Sequence, residues 1–206
     1  MANVMKSARD DAPALYVRAM DGAAAIVGAI RPEQWHNATP CAEWDLRVLV
    51  NHVTSENLWV HEILGGRTVA DVGKELDGDL LGGDPIAAYR DSVAKAKAVL
   101  SPERLDKHYG VSIGDITGYD YASQMFMDQL VHSWDIAKGS RQQVAFDEAL
   151  AIAATPIAEE MVGYAGQGSV FGNRQATRPG ASSLAVLLGV LGRRADWQPP
   201  AGATFV

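Results

Sequence analysis

The chain has one cysteine, Cys41, so no internal disulfide can form, and nothing in its cysteine usage points to an oxidising compartment. It has no apolar run approaching the ~20 residues that span a bilayer, and Met1 to Asp11 carries no secretory leader pattern. Basic residues are not in surplus: 18 Lys and Arg against 25 Asp and Glu leave a net charge of −7. Phosphate backbones are bound by concentrated positive charge, so nucleic acid is excluded as a partner. Repeats of solenoid period and low-complexity tracts are absent as well. These absences point to a cytoplasmic protein with no membrane or nucleic-acid partner.

What is present is an ordinary globular composition, 48% hydrophobic and 21% charged, over 206 residues. That length suits a single domain, 1–206, with a core large enough to need no staples. From about Ala8 to Ile30, Leu15, Ala19, Ala23, Ile26 and Ile30 recur at helical spacing, and Arg31-Pro32 ends the pattern. A connector from Glu33 to Trp44 holds two indoles, Trp35 and Trp44, and is expected to fold back onto the core. Asp45 reads as the N-cap of a helix from Leu46 to Leu64 that Gly65-Gly66 stops. Arg67 to Gly83 is rich in glycine and aspartate and is expected to include an exposed loop. Asp84-Pro85 starts a third helix reaching Leu100. Tyr109 to Ile113 alternates as a short extended stretch, and a fourth helix covers about Tyr119 to Lys138. Phe146 to Tyr164 predicts a further helix that Pro156 should kink or break. After a glycine-rich loop, Gly163 to Gly180, Ser182 or Ser183 caps a last short helix. Its apolar face, Leu184 to Leu191, either packs inward or supports a homodimer, and its negative end suits Arg193 and Arg194. Four long helices joined by loops predict an all-α fold: a bundle with one extra helix and a short C-terminal helix packed against it.

The fourth helix carries the chemistry. Asp128 and His132, four residues apart, point from one side of it about one turn from each other. Such pairs are common as plain helix-surface interactions. Here Met125, Leu130, Val131 and Ile136 flank the pair, so the helix is mostly apolar, and a buried acid beside a histidine calls for a compensating cation. A metal needs three or four converging donors. His52, in the apolar face of the second helix between Leu49 and Val53, offers a third, although a lone histidine there is more often a satisfied core residue. Glu56, one turn on, is a fourth ligand, a general base or a surface acid. His61, nine residues after His52, faces the opposite side, and surface roles are expected for His36 and His108 in their connectors. Cys41 is either a nucleophile or, the preferred reading, a small buried hydrophobe. Trp134 reads as core. Asp135, one turn from His132, is placed either to hold its imidazole or to pair with Lys138 or Arg141.

Three blocks in order carry a family resemblance: Thr39-Pro40-Cys41-Ala42-Glu43-Trp44-Asp45, Leu49-Val50-Asn51-His52-Val53, and Leu130-Val131-His132-Ser133-Trp134-Asp135-Ile136-Ala137. With Leu191-Gly192-Arg193 and Trp197 near the end, they resemble the actinobacterial metal-binding proteins of the DinB/YfiT-like superfamily, relatives of the N-terminal domain of mycothiol-dependent maleylpyruvate isomerase. The resemblance implies a DinB-like four-helix bundle holding a divalent metal, zinc or nickel, at one end of its core, with His52, Asp128 and His132 as ligands. It implies a metal-dependent enzyme, a thiol transferase or isomerase that uses mycothiol or a similar low-molecular-weight thiol on a small-molecule substrate. A metal-dependent hydrolase with Glu56 as base and a non-catalytic metal- or ligand-binding bundle are the alternatives. The isomerase has glutamate at the acid position; Asp128 is one methylene shorter and calls for a closer helix approach. No counterpart of the isomerase's separate C-terminal domain is expected in a chain ending at Val206.

Overall fold

The computed structural model describes residues 2–112, 114–165 and 171–200. Its elements run α1 (Ala2–Gly28), α2 (Leu46–Gly65), α3 (Val69–Val72), α4 (Pro85–Ala98), α5 (Pro102–Leu105), β1 (His108–Val111), β2 (Gly114–Thr117), α6 (Gly118–Gly139), α7 (Glu148–Ala165) and α8 (Ser183–Val190). Polar residues start the principal helices by satisfying amides that a first turn leaves without partners. The Asp45 carboxylate accepts from the Val48 amide at 2.8 Å and opens α2. Asp84 accepts from the Ala87 amide at 3.0 Å, ahead of Pro85, and opens α4. Thr117 and Asp120 form a reciprocal capping box at the start of α6.

The bundle consists of α1, α2, α4 and α6. Helix α1 packs against α6 and α4, and α2 packs against the same two, so α1 and α2 occupy opposite corners although consecutive in the chain. Met20, Leu49, Ile63, Tyr89 and Phe126 meet in the middle, none more than 1% exposed. Burying one such side chain is worth about 1.5–3 kcal/mol. One polar chain crosses this core. The Tyr16 hydroxyl donates to Asn57 Oδ1 at 2.8 Å, and Asn57 Nδ2 donates to Ser92 Oγ at 3.2 Å. It ties α1, α2 and α4 together in one register, because a buried amide without partners is costly. Helix α7 lies along α6, and α8 packs on α7 with Leu187, Leu188 and Leu191 buried. The leucine face of α8 is therefore covered within the chain. No described helix is long and apolar enough to cross a membrane.

The structure departs from the sequence pattern in four places. Helix α1 begins at Ala2, ahead of the apolar periodicity, and ends at Gly28, with the Ala29 and Ile30 amides turning back to the carbonyls of Ile26 and Val27 at 3.1 Å. Helix α7 runs unbroken through Pro156. The carbonyl that Pro156 cannot bond belongs to Ile152, a residue 61% exposed, so the missing bond falls on the solvent side of the helix. The extended stretch begun at Tyr109 is half of an antiparallel hairpin, with His108 opposite Thr117 and Val111 opposite Gly114; Ile113 lies outside the described residues. The segment 67–83 holds α3 and is pinned to α2. Asn51 Nδ2 donates to the Gly78 carbonyl at 2.9 Å, Asn51 Oδ1 accepts from the Leu80 amide at 2.7 Å, and Leu81 is buried.

Candidate metal centre

The connector between α1 and α2 closes over the C-terminal end of α6. Gln34 Nε2 donates to the Ser140 carbonyl at 2.6 Å and Asn37 Nδ2 to the Gly139 carbonyl at 2.9 Å, satisfying groups that a helix end leaves free. Gly139 permits the approach: a Cβ there would sit 3.0 Å from Thr39 Cγ2. Thr39 then organises the turn. Its hydroxyl donates to the Trp44 carbonyl at 2.8 Å and accepts from the Cys41 amide at 3.1 Å. Cys41 and Trp44 are thereby held against the residues of α2 and α6 that bear the histidines.

His52 from α2 and Asp128 and His132 from α6 converge. One Asp128 oxygen lies 3.4 Å from His132 Nε2 and the other 3.9 Å from His52 Nε2. The donor atoms of all three lie within 4.8 Å of one another. Two donors on a tetrahedral zinc at ~2.1 Å stand roughly 3.4 Å apart, so the spacing and the donor chemistry suit a divalent cation. Trp44 covers one flank, its ring centroid 4.8 Å from that of His52 and 6.1 Å from that of His132. The other flank is open: the side chains of His52, Asp128 and Glu56 are 28%, 24% and 31% exposed. Glu56 Oε1 lies 3.9 Å from His52 Nδ1, the nitrogen turned away from Asp128.

Without a cation the cluster balances its own charge. Burial favours the neutral form of each group. Against it, the charge and hydrogen bond of His132, helped by His52, hold the Asp128 carboxyl at about 2. Burial likewise lowers His132, but Asp128, Asp135 and Cys41 together raise it well above the usual imidazole value. His52 is lowered by burial and by the positive charges of His132 and Arg193, with Asp128 pulling the other way. Burial and the negative charge of Asp128 push the Glu56 carboxyl up to about 7, against the pull of His132. A carboxyl in that range exchanges protons at neutral pH.

Behind His132 stands a second group. Asp135, fully buried, accepts on Oδ2 from His132 Nδ1 at 3.0 Å, from Arg193 Nη2 at 3.0 Å and from Cys41 Sγ at 3.4 Å. In the neutral ring that a metal would require, a proton held on Nδ1 leaves the Nε2 lone pair facing Asp128 and His52. Cys41, His132 and Asp135 also lie within metal-binding distance of one another. There, however, the guanidinium of Arg193, 3.7 Å from Cys41 Sγ, already supplies the positive charge. Two expectations are corrected here. Cys41 is only half-buried and belongs to a polar cluster, because the Thr39 turn aims its sulfur at Asp135. Of the two arginines expected at the negative end of α8, Arg193 does meet it, Nη1 donating to the Leu191 carbonyl at 3.0 Å, but also reaches the buried Asp135 through Nη2, while Arg194 pairs with Asp196 at 3.1 Å. Asp135 pairs with His132 and Arg193, and Lys138 instead lies over the Trp134 ring at 5.5 Å.

The remaining histidines stay outside. His36 Nδ1 meets Asp45 at 2.8 Å, His61 Nδ1 lies 3.2 Å from the Lys95 carbonyl, and His108 faces Asp115 at 3.3 Å. Sequence reasoning missed the contribution of Arg193, since no local pattern marks a residue whose partner lies 58 positions away.

Comparison with known proteins gives the fold and the family. The chain is 28% identical over 180 residues to two uncharacterized proteins of Mycobacterium tuberculosis, one from each of two strains, spanning 84% of this chain and 94% of each relative. Its fold matches the crystal structure of a histidine-to-alanine mutant of mycothiol-dependent maleylpyruvate isomerase with a TM-score of 0.60, over 75% of this chain and 69% of that one. At 10% identity that likeness is one of fold, the DinB-like bundle. The model of the family described as mycothiol maleylpyruvate isomerase N-terminal domain matches residues 16–137, which include His52, Glu56, Asp128, His132 and Asp135. The match covers more than half of the chain, and the protein belongs to this family.

Proposed function

We propose that the protein is a metal-dependent enzyme that joins a low-molecular-weight thiol, mycothiol or a close equivalent, to a small-molecule substrate, as a thiol transferase or isomerase. The observation that carries this reading is the convergence of His52, Asp128 and His132 at a partly open end of the bundle, with Glu56 beside them. Both His Nε2 atoms and the Asp128 carboxylate would hold the cation, and two nitrogens with one oxygen suit zinc or nickel. When bound, such a metal acts as a Lewis acid that lowers the pKa of a thiol or water at its free position.

The rest falls to the chain. Asp135 fixes the His132 ring and its tautomer. Trp44 shields one side of the histidines from water. Glu56, beside His52 at the open flank, takes the proton of the incoming thiol and returns it to the product. The thiol must come from outside, because Cys41 is engaged with Asp135 on the Nδ1 side of His132, away from the open triad. The family name supports mycothiol as that thiol. Hydrolysis would use the same centre with water in place of the thiol.

The test is the metal content of protein purified without a histidine tag, beside His52→Ala and Asp128→Ala. One equivalent of zinc or nickel in the parent, lost in both variants, is expected. Thiol-dependent turnover should then fall about 10²–10⁴-fold in Glu56→Gln with the metal retained. A parent that neither carries nor takes up metal would overturn the reading. A metal-loaded parent whose site binds no thiol would leave a non-catalytic metal-binding bundle.

A further inference from the structure

Helix α6 has a second functional face. Trp134 and Lys138 of α6 lie well round the helix from His132, and Arg141 follows just beyond the helix end; none of them belongs to the triad. With Phe146 and Leu184 they line a cavity of about 570 Å³ between the end of α6, the start of α7 and α8. That volume is within the usual range of small-molecule sites, about 300–1,000 Å³.

Its charge is one-sided, and Gln142, Gln143 and Gln198 add neutral polar groups to the lining. Trp134 is 5% exposed and forms a flat apolar wall, and Phe146 and Leu184, packed on the core, extend it. The charged lining residues are Lys138 and Arg141, and no carboxylate lines the cavity among the described residues, in a chain whose net charge is −7. Lys138 Nζ is held over the Trp134 ring, 5.5 Å from its centroid. Arg141 makes no ion pair or hydrogen bond through its side chain among the described residues. Its backbone is unusual: φ is +57°, the one positive φ of a non-glycine residue among those described. The chain reverses there as the amide of residue 142 bonds the Ala137 carbonyl at 2.9 Å, closing the helix in a form that normally selects glycine. Complementing the helix dipole explains a cation near this end, and Lys138 already provides it. It does not explain an arginine in a conformation that is costly for every L-residue.

We infer that this cavity is a binding site for a small aromatic carboxylate, with its ring against Trp134 and Phe146 and its anionic end between Lys138 and Arg141. A guanidinium takes a carboxylate through two parallel hydrogen bonds, and indole and phenyl faces suit a flat apolar body. The site stands apart from the metal centre and does not depend on the function proposed for it.

Isothermal titration calorimetry with benzoate tests this, with benzyl alcohol as the uncharged comparison. A carboxylate could also bind a metal, so the parent is titrated beside His52→Ala. Saturable, one-to-one binding is expected in both, weakened about tenfold or more in the Lys138→Gln/Arg141→Gln double variant and in Arg141→Gln to a lesser degree. Benzyl alcohol should not saturate. Absence of saturable benzoate binding to the parent, equal binding to the double variant, or loss of binding in His52→Ala would each overturn the inference.

Discussion

Replacing Asp135 should damage this protein more than replacing any of the three proposed metal ligands, and the structure says by how much. Its carboxylate is fully buried and receives Arg193 at 3.0 Å and His132 at 3.0 Å. Burial raises its pKa, but Arg193 and His132 hold it below the ordinary carboxylate range. In Asp135→Ala, the Arg193 guanidinium, 14% exposed, keeps its charge and loses its counter-ion. Breaking a buried pair from one side costs about 3–5 kcal/mol. For a domain of this size, that lowers the melting temperature by roughly 6–20 °C. Arg193→Leu strands the other charge. The double variant removes both and should cost less than Asp135→Ala alone. Urea unfolding followed by circular dichroism, with chelator present so that metal linkage adds nothing, measures all four proteins. An acid held below its unfolded pKa stabilises the fold above that value and ceases to as pH falls through its folded value. The gap between parent and Asp135→Ala should therefore close below about pH 4. Additive costs in the double variant, or a loss under about 1 kcal/mol in Asp135→Ala, would refute the buried-pair argument.

Two further outcomes are expected. Gly192 has φ +79°, and a Cβ there would lie 2.5 Å from the Gly172 backbone, so Gly192→Ala should displace the chain that carries Arg193. A loss of about 2–4 kcal/mol in urea unfolding, with metal affinity reduced about tenfold by calorimetry, is the expected result. Burial pushes the hydroxyls of Tyr16, Tyr89 and Tyr121 above the normal tyrosine value. The unfolded chain then loses protons above about pH 10 that the folded chain retains, so stability falls as pH rises. In absorbance titration at alkaline pH, three of the six tyrosines should ionise only as the helical signal is lost.

The helices could be read from the chain because their signals are local. Asp45, Asp84-Pro85 and Gly66 are caps whose partners lie within one turn, and Asp128 and His132 share a helix face by spacing alone. His52 was a candidate third donor on the second helix that the family resemblance favoured, and the bundle places it within reach of both. The polar setting of Cys41 and the Asp135 partner of Arg193 were missed for one reason. A cysteine beside Pro40 and an arginine after a helix have ordinary local explanations, and only folding brings both to Asp135. The second hairpin strand, Gly114–Thr117, was missed because, unlike the first, it carries no apolar alternation. The helix around Pro156 was read correctly, but that the proline does not break it could not be, because the sequence does not show that Ile152 lies on the solvent side.

The meeting of three segments on one Asp135 oxygen also bears on the order of events in folding. His132 is three residues from Asp135, but Cys41 lies 94 residues before it and Arg193 58 after. Closing such long loops is entropically costly until the helices between them have docked, whereas the capped helices need only local contacts. The network behind His132 should therefore form at the end of folding. Refolding in the presence of metal would show it directly: the helical signal would recover first, and metal uptake would follow with a separate, slower phase. Simultaneous recovery of the two would mean that α2 and α6 present their ligands before the C-terminal segment arrives.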